Sequence, residues 1–192
     1  MRAMADAQDP ELDEDGLVVQ KYHSKVLVVM PPAGFGDQIL RYARSSLYNV
    51  HVGSTSVAAD ADALVEGRLQ DSFLVDEPID GQRMEDYAGI LIVACEGSNP
   101  LAEDERVLEL VRAADREGKL IATWGNGLGV LVSAGVVRGR KVTGAKEFAD
   151  GAKAAGARYS GREIMTSDHL VTARDEGAGM RFGQALAELV RI

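Results

Sequence analysis

Short apolar runs that alternate with amphipathic segments are the feature that most constrains the fold of this 192-residue chain. Runs at 26–30, 88–94 and 120–124 are continuously aliphatic or nearly so, which predicts strands buried on both faces of a sheet. The clearest amphipathic segment predicts a helix over 100–117, with Asn99 as its N-cap. Because strands alternate with helices, we expect an α/β fold with a mainly parallel sheet covered on both faces.

The remaining segments continue this alternation. We predict a helix around 39–47, a strand at 48–52, a short helix at 128–134, a hairpin at 163–173 and a terminal helix at 179–191. Neither an internal repeat nor a second core is evident. We therefore expect a single domain over residues 23–192.

The beginning of the chain differs in composition from the rest. Residues 1–16 hold six acids and one arginine, so more than half of the net charge of −9 lies there. This stretch lacks a periodic apolar pattern, which predicts a disordered or loosely docked acidic tail over residues 1–22. A tail that solubilises the chain and a tail that recruits a partner both fit this composition.

Composition also excludes several classes of partner. A net charge of −9 argues against nucleic acid or an anionic membrane surface as the main partner. The longest apolar runs are far shorter than the roughly 20 residues that span a bilayer. No pattern typical of a secretory signal is present, so we expect a soluble cytoplasmic protein.

Few side chains are available for metal or disulfide chemistry. A single cysteine, Cys95, excludes an internal disulfide framework and a cysteine-rich zinc site. The three histidines, His23, His51 and His169, are far apart in the sequence and show no ligand spacing. We therefore expect neither a metal nor a cofactor.

The turn after the run at 120–124 is the strongest functional signal. Its strand–turn–helix pattern is typical of a nucleophile elbow. The segments that carry this turn and its surroundings are LIATWGNGLGVLVSAGVVRGRKVTG, AGARYSGREIMTSDHLVTAR and GMRFGQALAEL. Together they resemble the ThiJ/PfpI family, which includes parkinsonism-associated deglycases, isocyanide hydratases and PfpI-type peptidases. The resemblance covers about residues 25–192. It implies a flavodoxin-like three-layer sandwich and a homodimer.

The chain departs from this family where the family's reactive groups stand. By the resemblance, the nucleophilic cysteine falls on Gly125 and its neighbouring histidine on Asn126. The family's supporting acid follows the first strand in a G-F-E-D-like turn, and it falls on Gly36. A thiolate needs nearby positive charge, a dipole or hydrogen bonds to form at neutral pH. With all three side chains replaced, we do not expect the family's usual covalent chemistry at the elbow.

Other side chains near these turns remain candidates for catalysis. Asp37 either points into the pocket or caps the helix that follows it. Cys95 is either a displaced nucleophile or redox sensor, or a small buried filler at a strand end. Glu96 is either a general acid/base or a loop charge. Asp175 and Glu176 replace a Gly-Pro of the family pattern, as loop acids or as part of the pocket rim.

We expect the substrate-binding part of the pocket to comprise Gly36, Trp124, Gly125, Asn126 and Gly127. Trp124 either stacks on a ligand or belongs to the core. The Asn126 amide either contacts a ligand or serves the turn. Gly125, Gly127 and the following glycine form a G-x-G-x-G pattern, but its spacing and its distance from the first strand disfavour a dinucleotide site.

Three hypotheses follow. The chain binds a small metabolite in the family pocket, with no catalysis or altered catalysis. Alternatively, it is a hydrolase, hydratase or lyase that acts on a small carbonyl- or isocyanide-like compound through Asp37, Glu96 or Cys95. In the third hypothesis, Cys95 makes it a sensor of oxidative stress. Substitution of Cys95 by alanine would leave the first function unchanged and abolish the third.

Overall fold

A seven-stranded sheet forms the centre of the computed structural model, which describes residues 22–60, 63–97 and 99–190. Of the predicted acidic tail at 1–22, all but Tyr22 lies outside these residues. Eleven strands are present in the described part: β1 (Ser24–Val29), β2 (Val52–Ala58), β3 (Leu64–Glu66), β4 (Ser72–Leu74), β5 (Glu77–Pro78), β6 (Gly89–Ile92), β7 (Leu120–Trp124), β8 (Lys141–Val142), β9 (Arg158–Tyr159), β10 (Ile164–Ser167) and β11 (Leu170–Ala173).

The sheet has the strand order β10-β11-β7-β6-β1-β2-β5. All neighbours pair in parallel except β10, which is antiparallel to β11 at one edge. The other strands form two pairs outside this sheet, an antiparallel hairpin of β3 and β4 and a parallel pair of β8 and β9. The predicted mainly parallel sheet is confirmed.

Helices cover both faces of the sheet. The five α-helices are α1 (Asp37–Tyr48), α2 (Glu105–Arg116), α3 (Leu128–Ala134), α4 (Ala149–Ala154) and α5 (Gly179–Leu189). Helices α1 and α5 pack on one face, and α2 and α3 pack on the other. Alternate residues of β1 point to opposite sides, so that Leu27 belongs to one core cluster and Val28 to the other. The architecture is the expected flavodoxin-like three-layer α/β sandwich.

Two predicted boundaries are wrong. The strand predicted at 48–52 starts only at Val52, because α1 continues to Tyr48 and a turn follows, with His51 in the left-handed region at φ 58°. The helix predicted from residue 100 starts at Glu105. Asn99 accepts a hydrogen bond from the Leu101 N–H and caps only a short 3-10 turn. The side chain of Asp104 then caps α2 itself.

The strand order places the carboxyl ends of β1, β6, β7 and β11 side by side. From β1 the chain adds β2 on one side of the sheet, and it later adds β6 and β7 on the other side of β1. The direction of winding therefore reverses between β1 and β6. Clefts that bind ligands form at such switch points, beyond the carboxyl ends of the strands.

No helix in the described part of the chain is long and apolar enough to cross a membrane.

Candidate functional site

An open cleft of about 1200 Å³ lies at the carboxyl end of the sheet. Its walls come from the loops that follow β6, β7 and β11, from the turn between β3 and β4, and from the segment at 144–148. The residues that line it include Cys95, Trp124, Gly125 and Asn126. The structure therefore brings Cys95 into the same cleft as the elbow at Gly125, although the two residues are 30 positions apart in the sequence.

The elbow keeps a left-handed backbone although it carries no side chain. Gly125 has φ +53°, which costs glycine nothing and strains other residues. A Cβ placed on Gly125 would meet only the Ala94 Cβ, at 3.8 Å. Position 125 thus has the backbone of an elbow and open space above it, but no reactive atom.

The two residues that flank this turn have packing roles. A Cβ on Gly127 would lie 1.9 Å from the Thr123 hydroxyl, which donates a hydrogen bond to the Ile92 carbonyl at 2.8 Å. Gly127 is therefore required by close packing. The Trp124 ring is 2% exposed and contacts Phe182 edge-to-face, with 5.8 Å between ring centroids. Trp124 belongs to the core and also forms part of the cleft wall.

The Asn126 side chain holds the loop after β6. Its amide nitrogen donates to the Cys95 carbonyl at 2.8 Å and to the Gly97 carbonyl at 2.7 Å. Its amide oxygen accepts the Cys95 N–H at 3.3 Å. Since an amide has two N–H donors, both are used within the protein. The geometry supports the turn role of Asn126 and leaves no amide hydrogen for a ligand.

Cys95 is half-buried in the cleft wall. Its backbone forms an antiparallel bridge with Phe35, which links the loops after β6 and β1. Burial raises the pKa of its thiol, and a hydrogen bond with Asn126 opposes this rise only in part. The thiolate fraction at neutral pH is therefore small, which does not favour a strong nucleophile.

Asp37 is 2% exposed and is not among the residues that line this cleft. It accepts the Leu69 N–H at 2.9 Å and the Asp71 N–H at 3.2 Å, both in the turn between β3 and β4. Gly36, and not Asp37, is the N-cap residue of α1. Asp37 thus neither lines the cleft nor caps α1, because its carboxylate accepts hydrogen bonds from the turn between β3 and β4.

A cluster of charged side chains crosses the mouth of the cleft. The Arg68 guanidinium lies between two carboxylates, with Nε 3.0 Å from Glu96 and Nη1 2.8 Å from Glu176. Glu96 is an exposed residue in this cluster. Gly36 lies directly beneath it, because a Cβ on Gly36 would be 2.6 Å from the Glu176 carboxylate. The Glu176 carboxylate therefore fills the space that a side chain at position 36 would take.

Sequence reasoning missed Arg68 and left Glu176 undecided. The Asp175–Glu176 pair in place of Gly-Pro was the available signal for Glu176. No local pattern marks Arg68, since it reaches the cleft from a short hairpin far from the elbow in sequence. Arg174 and Asp175 pair with each other at 2.7 Å on the same rim.

The inner wall adds aromatic and charged groups. Phe148 and Tyr159 line the cleft, and the Tyr159 hydroxyl donates to the Gly144 carbonyl at 2.8 Å. The side chains of Lys146 and Glu147 are exposed there, and neither forms a hydrogen bond or ion pair with another residue of 22–60, 63–97 or 99–190. Within the described ranges, no group of three or more His, Cys, Asp or Glu side chains is placed to hold a metal ion.

Comparison with solved structures agrees with this fold. The chain superposes on a ThiJ/PfpI domain protein from Brachyspira murdochii with a TM-score of 0.82 and 17% identity, covering 89% of this chain and 98% of that one. It matches Drosophila melanogaster DJ-1beta with a TM-score of 0.78 and 21% identity, over 87% of this chain and 90% of the other.

Sequence comparison finds more closely related proteins. An uncharacterized protein of Methanocaldococcus jannaschii is 27% identical over 164 residues, which are 84% of this chain and 80% of the relative. The deglycase PfpI of Pyrococcus furiosus is 26% identical over 121 residues, covering 63% of this chain and 73% of the relative. The sequence model of the DJ-1/PfpI family matches residues 24–189. The chain is a member of the DJ-1/PfpI family.

Proposed function

We propose that this protein binds a small molecule in the cleft beyond β6, β7 and β11, without thiol chemistry at the elbow. One observation carries the proposal: Gly125 occupies the left-handed elbow position and Asn126 beside it has no amide hydrogen left. A covalent mechanism needs a nucleophile and a base within hydrogen-bond reach of each other. The elbow of this chain supplies neither group.

The walls of the cleft support ligand binding. Small-molecule sites are concave and mostly apolar, with a few polar groups that orient the ligand. This cleft combines apolar and aromatic walls at Ala94, Phe148 and Tyr159 with the charged groups of Arg68 and Lys146. The cleft lies beyond the carboxyl ends of parallel strands, beside the switch point between β1 and β6, and ligands bind at this edge in open α/β sheets.

The names of some relatives point to an enzyme. Deglycase PfpI of Pyrococcus furiosus and protein/nucleic acid deglycase 2 of Escherichia coli are 26% and 29% identical to this chain over 121 residues each. We do not transfer this activity, because Gly125 and Gly36 lack side chains where the family resemblance places the reactive thiol and acid. The alternative catalytic set is weakened as well. Asp37 is engaged by the turn between β3 and β4, and burial raises the pKa of the Cys95 thiol.

A homodimer is part of this proposal. The hairpin of β3 and β4 carries three leucines, Leu64, Leu69 and Leu74, each at least 60% exposed. A hairpin outside the main sheet with exposed leucines gains from burial against a second copy. Sedimentation-velocity measurement of the mass in solution tests the dimer. A cytoplasmic location and the exclusion of nucleic acid and membranes as partners stay predictions.

Deglycase assays test the absence of thiol chemistry. The probe is the adduct of methylglyoxal with N-acetylcysteine, followed by its absorbance, with the Pyrococcus furiosus deglycase as positive control. We expect no turnover above the buffer rate for the wild type, and the same result for Cys95→Ala. Turnover comparable to that of the control enzyme would contradict the proposal. Loss of such turnover in Cys95→Ala would identify Cys95 as a displaced nucleophile.

A further inference from the structure

The Arg68 side chain lies where three loops of the cleft meet. It extends from the turn between β3 and β4 to Glu96 after β6 and to Glu176 after β11. All three residues lie at or beside the cleft mouth, and Arg68 and Glu176 line the cleft. A guanidinium in such a position is a ready donor for an anionic ligand group.

Hydrogen bonds to Phe35 and Asp37 fix the position of the turn that carries Arg68. The Arg68 N–H donates to the Phe35 carbonyl at 3.0 Å, which joins the turn to the loop after β1. The buried Asp37 carboxylate accepts two further N–H groups of the same turn. A Cβ on Gly67 would lie 2.1 Å from this carboxylate, so the turn rests directly on Asp37. The base of the Arg68 side chain is therefore well positioned before any ligand arrives.

The two carboxylates on Arg68 are not equivalent. Glu176 accepts a hydrogen bond from Nη1, its side chain is 33% exposed, and its carboxylate fits into the space above Gly36. Glu96 forms an ion pair with Nε, and its side chain is 68% exposed. Exposed ion pairs contribute little to stability, so solvent or a ligand can replace Glu96 more easily than Glu176.

Loss of Glu96 would open one edge of the guanidinium. Nη2 of Arg68 has no hydrogen-bond partner among the residues that the structure describes. Nε and Nη2 together form a planar fork that matches the two oxygens of a carboxylate. Glu176 can remain on Nη1 while a second carboxylate takes this fork.

The charges of the cleft favour a monoanion with an apolar body. Three acids, Glu147, Asp175 and Glu176, line the cleft together with three basic residues, Arg68, Lys146 and Arg174. The charge of the lining is therefore balanced, which suits a ligand group with one negative charge better than a group with two. Phe148 and Tyr159 offer apolar surface for the rest of the ligand. Lys146 adds a cation whose side chain has no partner among the residues that the structure describes.

We propose that Arg68 recognises the carboxylate of a small organic acid, which replaces Glu96 on the Nε–Nη2 edge while Glu176 keeps the guanidinium in place. This inference rests on the proposed function and names the ligand class of the same cleft. It also assigns a task to Gly36, which makes room for the Glu176 carboxylate.

Titration with three matched probes tests the inference: phenylacetate, its neutral amide phenylacetamide, and phenyl phosphate. The chain has one tryptophan and one cysteine, and both line the cleft. Trp124 fluorescence and protection of Cys95 from alkylation are therefore two independent readouts of occupancy. We expect phenylacetate to bind roughly tenfold more tightly than phenylacetamide, and more tightly than the phosphate ester.

Variants separate the roles of the three charged residues. Arg68→Gln is expected to abolish the preference for phenylacetate over its amide. Arg68→Lys keeps the charge without the fork and should retain only part of that preference. Glu96→Gln removes the competing carboxylate and should tighten phenylacetate binding by about threefold. Arg106→Gln is the control, because this arginine pairs with Asp104 and Asp80 at an exposed site outside the cleft.

Each outcome decides one question. Equal binding of phenylacetate and phenylacetamide, an unchanged preference in Arg68→Gln, or tighter binding of phenyl phosphate would overturn the inference and leave the proposed function standing. If no probe changes Trp124 fluorescence or protects Cys95, both the inference and small-molecule binding in this cleft fail. Far-UV circular dichroism and urea midpoints of each variant show whether a loss of binding reflects unfolding.

Discussion

The turns after β1 and after β7 have the same arrangement of a glycine and a buried polar residue, and they differ in the space above the glycine. In each turn a glycine precedes a buried polar residue, Gly36 before Asp37 and Gly125 before Asn126. In each, the polar side chain hydrogen-bonds the backbone of a neighbouring loop. The side chains that local sequence marks as candidates for chemistry therefore serve as anchors for loops.

The difference lies in the space above each glycine. The Glu176 carboxylate fills the space above Gly36, whereas the space above Gly125 is open as far as the Ala94 Cβ at 3.8 Å. Gly36 has φ −75°, which any residue adopts, while Gly125 has φ +53°. Glycine at 36 thus leaves room for a neighbouring side chain, whereas glycine at 125 permits the left-handed backbone. A carboxylate from another loop occupies the space above Gly36, but no thiol lies above Gly125.

Removal of the two anchors should have the largest effect. Asp37→Ala and Asn126→Ala each leave two or three part-buried backbone groups without their partner, which costs about 2–3 kcal/mol in the free energy of unfolding. Urea denaturation followed by circular dichroism measures this cost. Asp80→Ala, which breaks an exposed ion pair with Arg106, is the control and should cost less than about 1 kcal/mol.

The shared arrangement predicts that Asp37→Ala and Asn126→Ala lower the free energy of unfolding by similar amounts. If Asn126→Ala proved as stable as the wild type while Asp37→Ala did not, the Asn126 amide would not hold its loop. It would then be available to a ligand, and the comparison between the two turns would fail.

Alanine at the two glycines should produce a smaller effect and should separate the two cases. Gly125→Ala places a Cβ on a left-handed residue, which costs about 1–2 kcal/mol. Gly36→Ala only displaces the end of a flexible, partly exposed side chain, Glu176, so we expect a cost below about 1 kcal/mol.

A double-mutant cycle at 36 and 176 sharpens this test. Because the two positions share one space, the stability changes of Gly36→Ala and Glu176→Ala should not add. The same cycle between Gly125→Ala and Glu176→Ala should be additive, since no Glu176 atom lies within 4 Å of a Cβ on Gly125. Additivity in the first cycle would show that Glu176 does not occupy the space above Gly36.

Cys95 contacts both turns, through a bridge with Phe35 and hydrogen bonds with Asn126. The expected change in its alkylation rate is the smallest of these effects. Burial raises the pKa of its thiol above the ordinary range, so less thiolate is present at neutral pH than in a free cysteine. Iodoacetamide should therefore modify Cys95 more slowly than a cysteine in an unstructured peptide at pH 7.5. The rate should still be rising with pH above 9. A rate that reaches its plateau below pH 8 would instead indicate an activated thiolate and would favour the redox-sensor hypothesis.

Much of the fold followed from local patterns. The buried strand at 120–124 and the helix at 128–134 have the predicted bounds, because a continuous apolar run and a glycine stop are local signals. The strand predicted at 48–52 failed since Asn49, Val50 and His51 form a turn that α1 and β2 impose from both sides. Short segments between two elements are governed by their neighbours more than by their own composition.

The sequence by itself determined the α/β alternation, the family resemblance and the absence of a thiol at position 125. Only the tertiary structure decided what the neighbouring polar groups do. Asp37 and Asn126 bond to loops 32 and 31 residues away, and Arg68 meets Glu176 across 108 residues. The reason is physical: a buried hydrogen-bonding group must find a partner, and strand order, which local patterns do not contain, determines which loop supplies it.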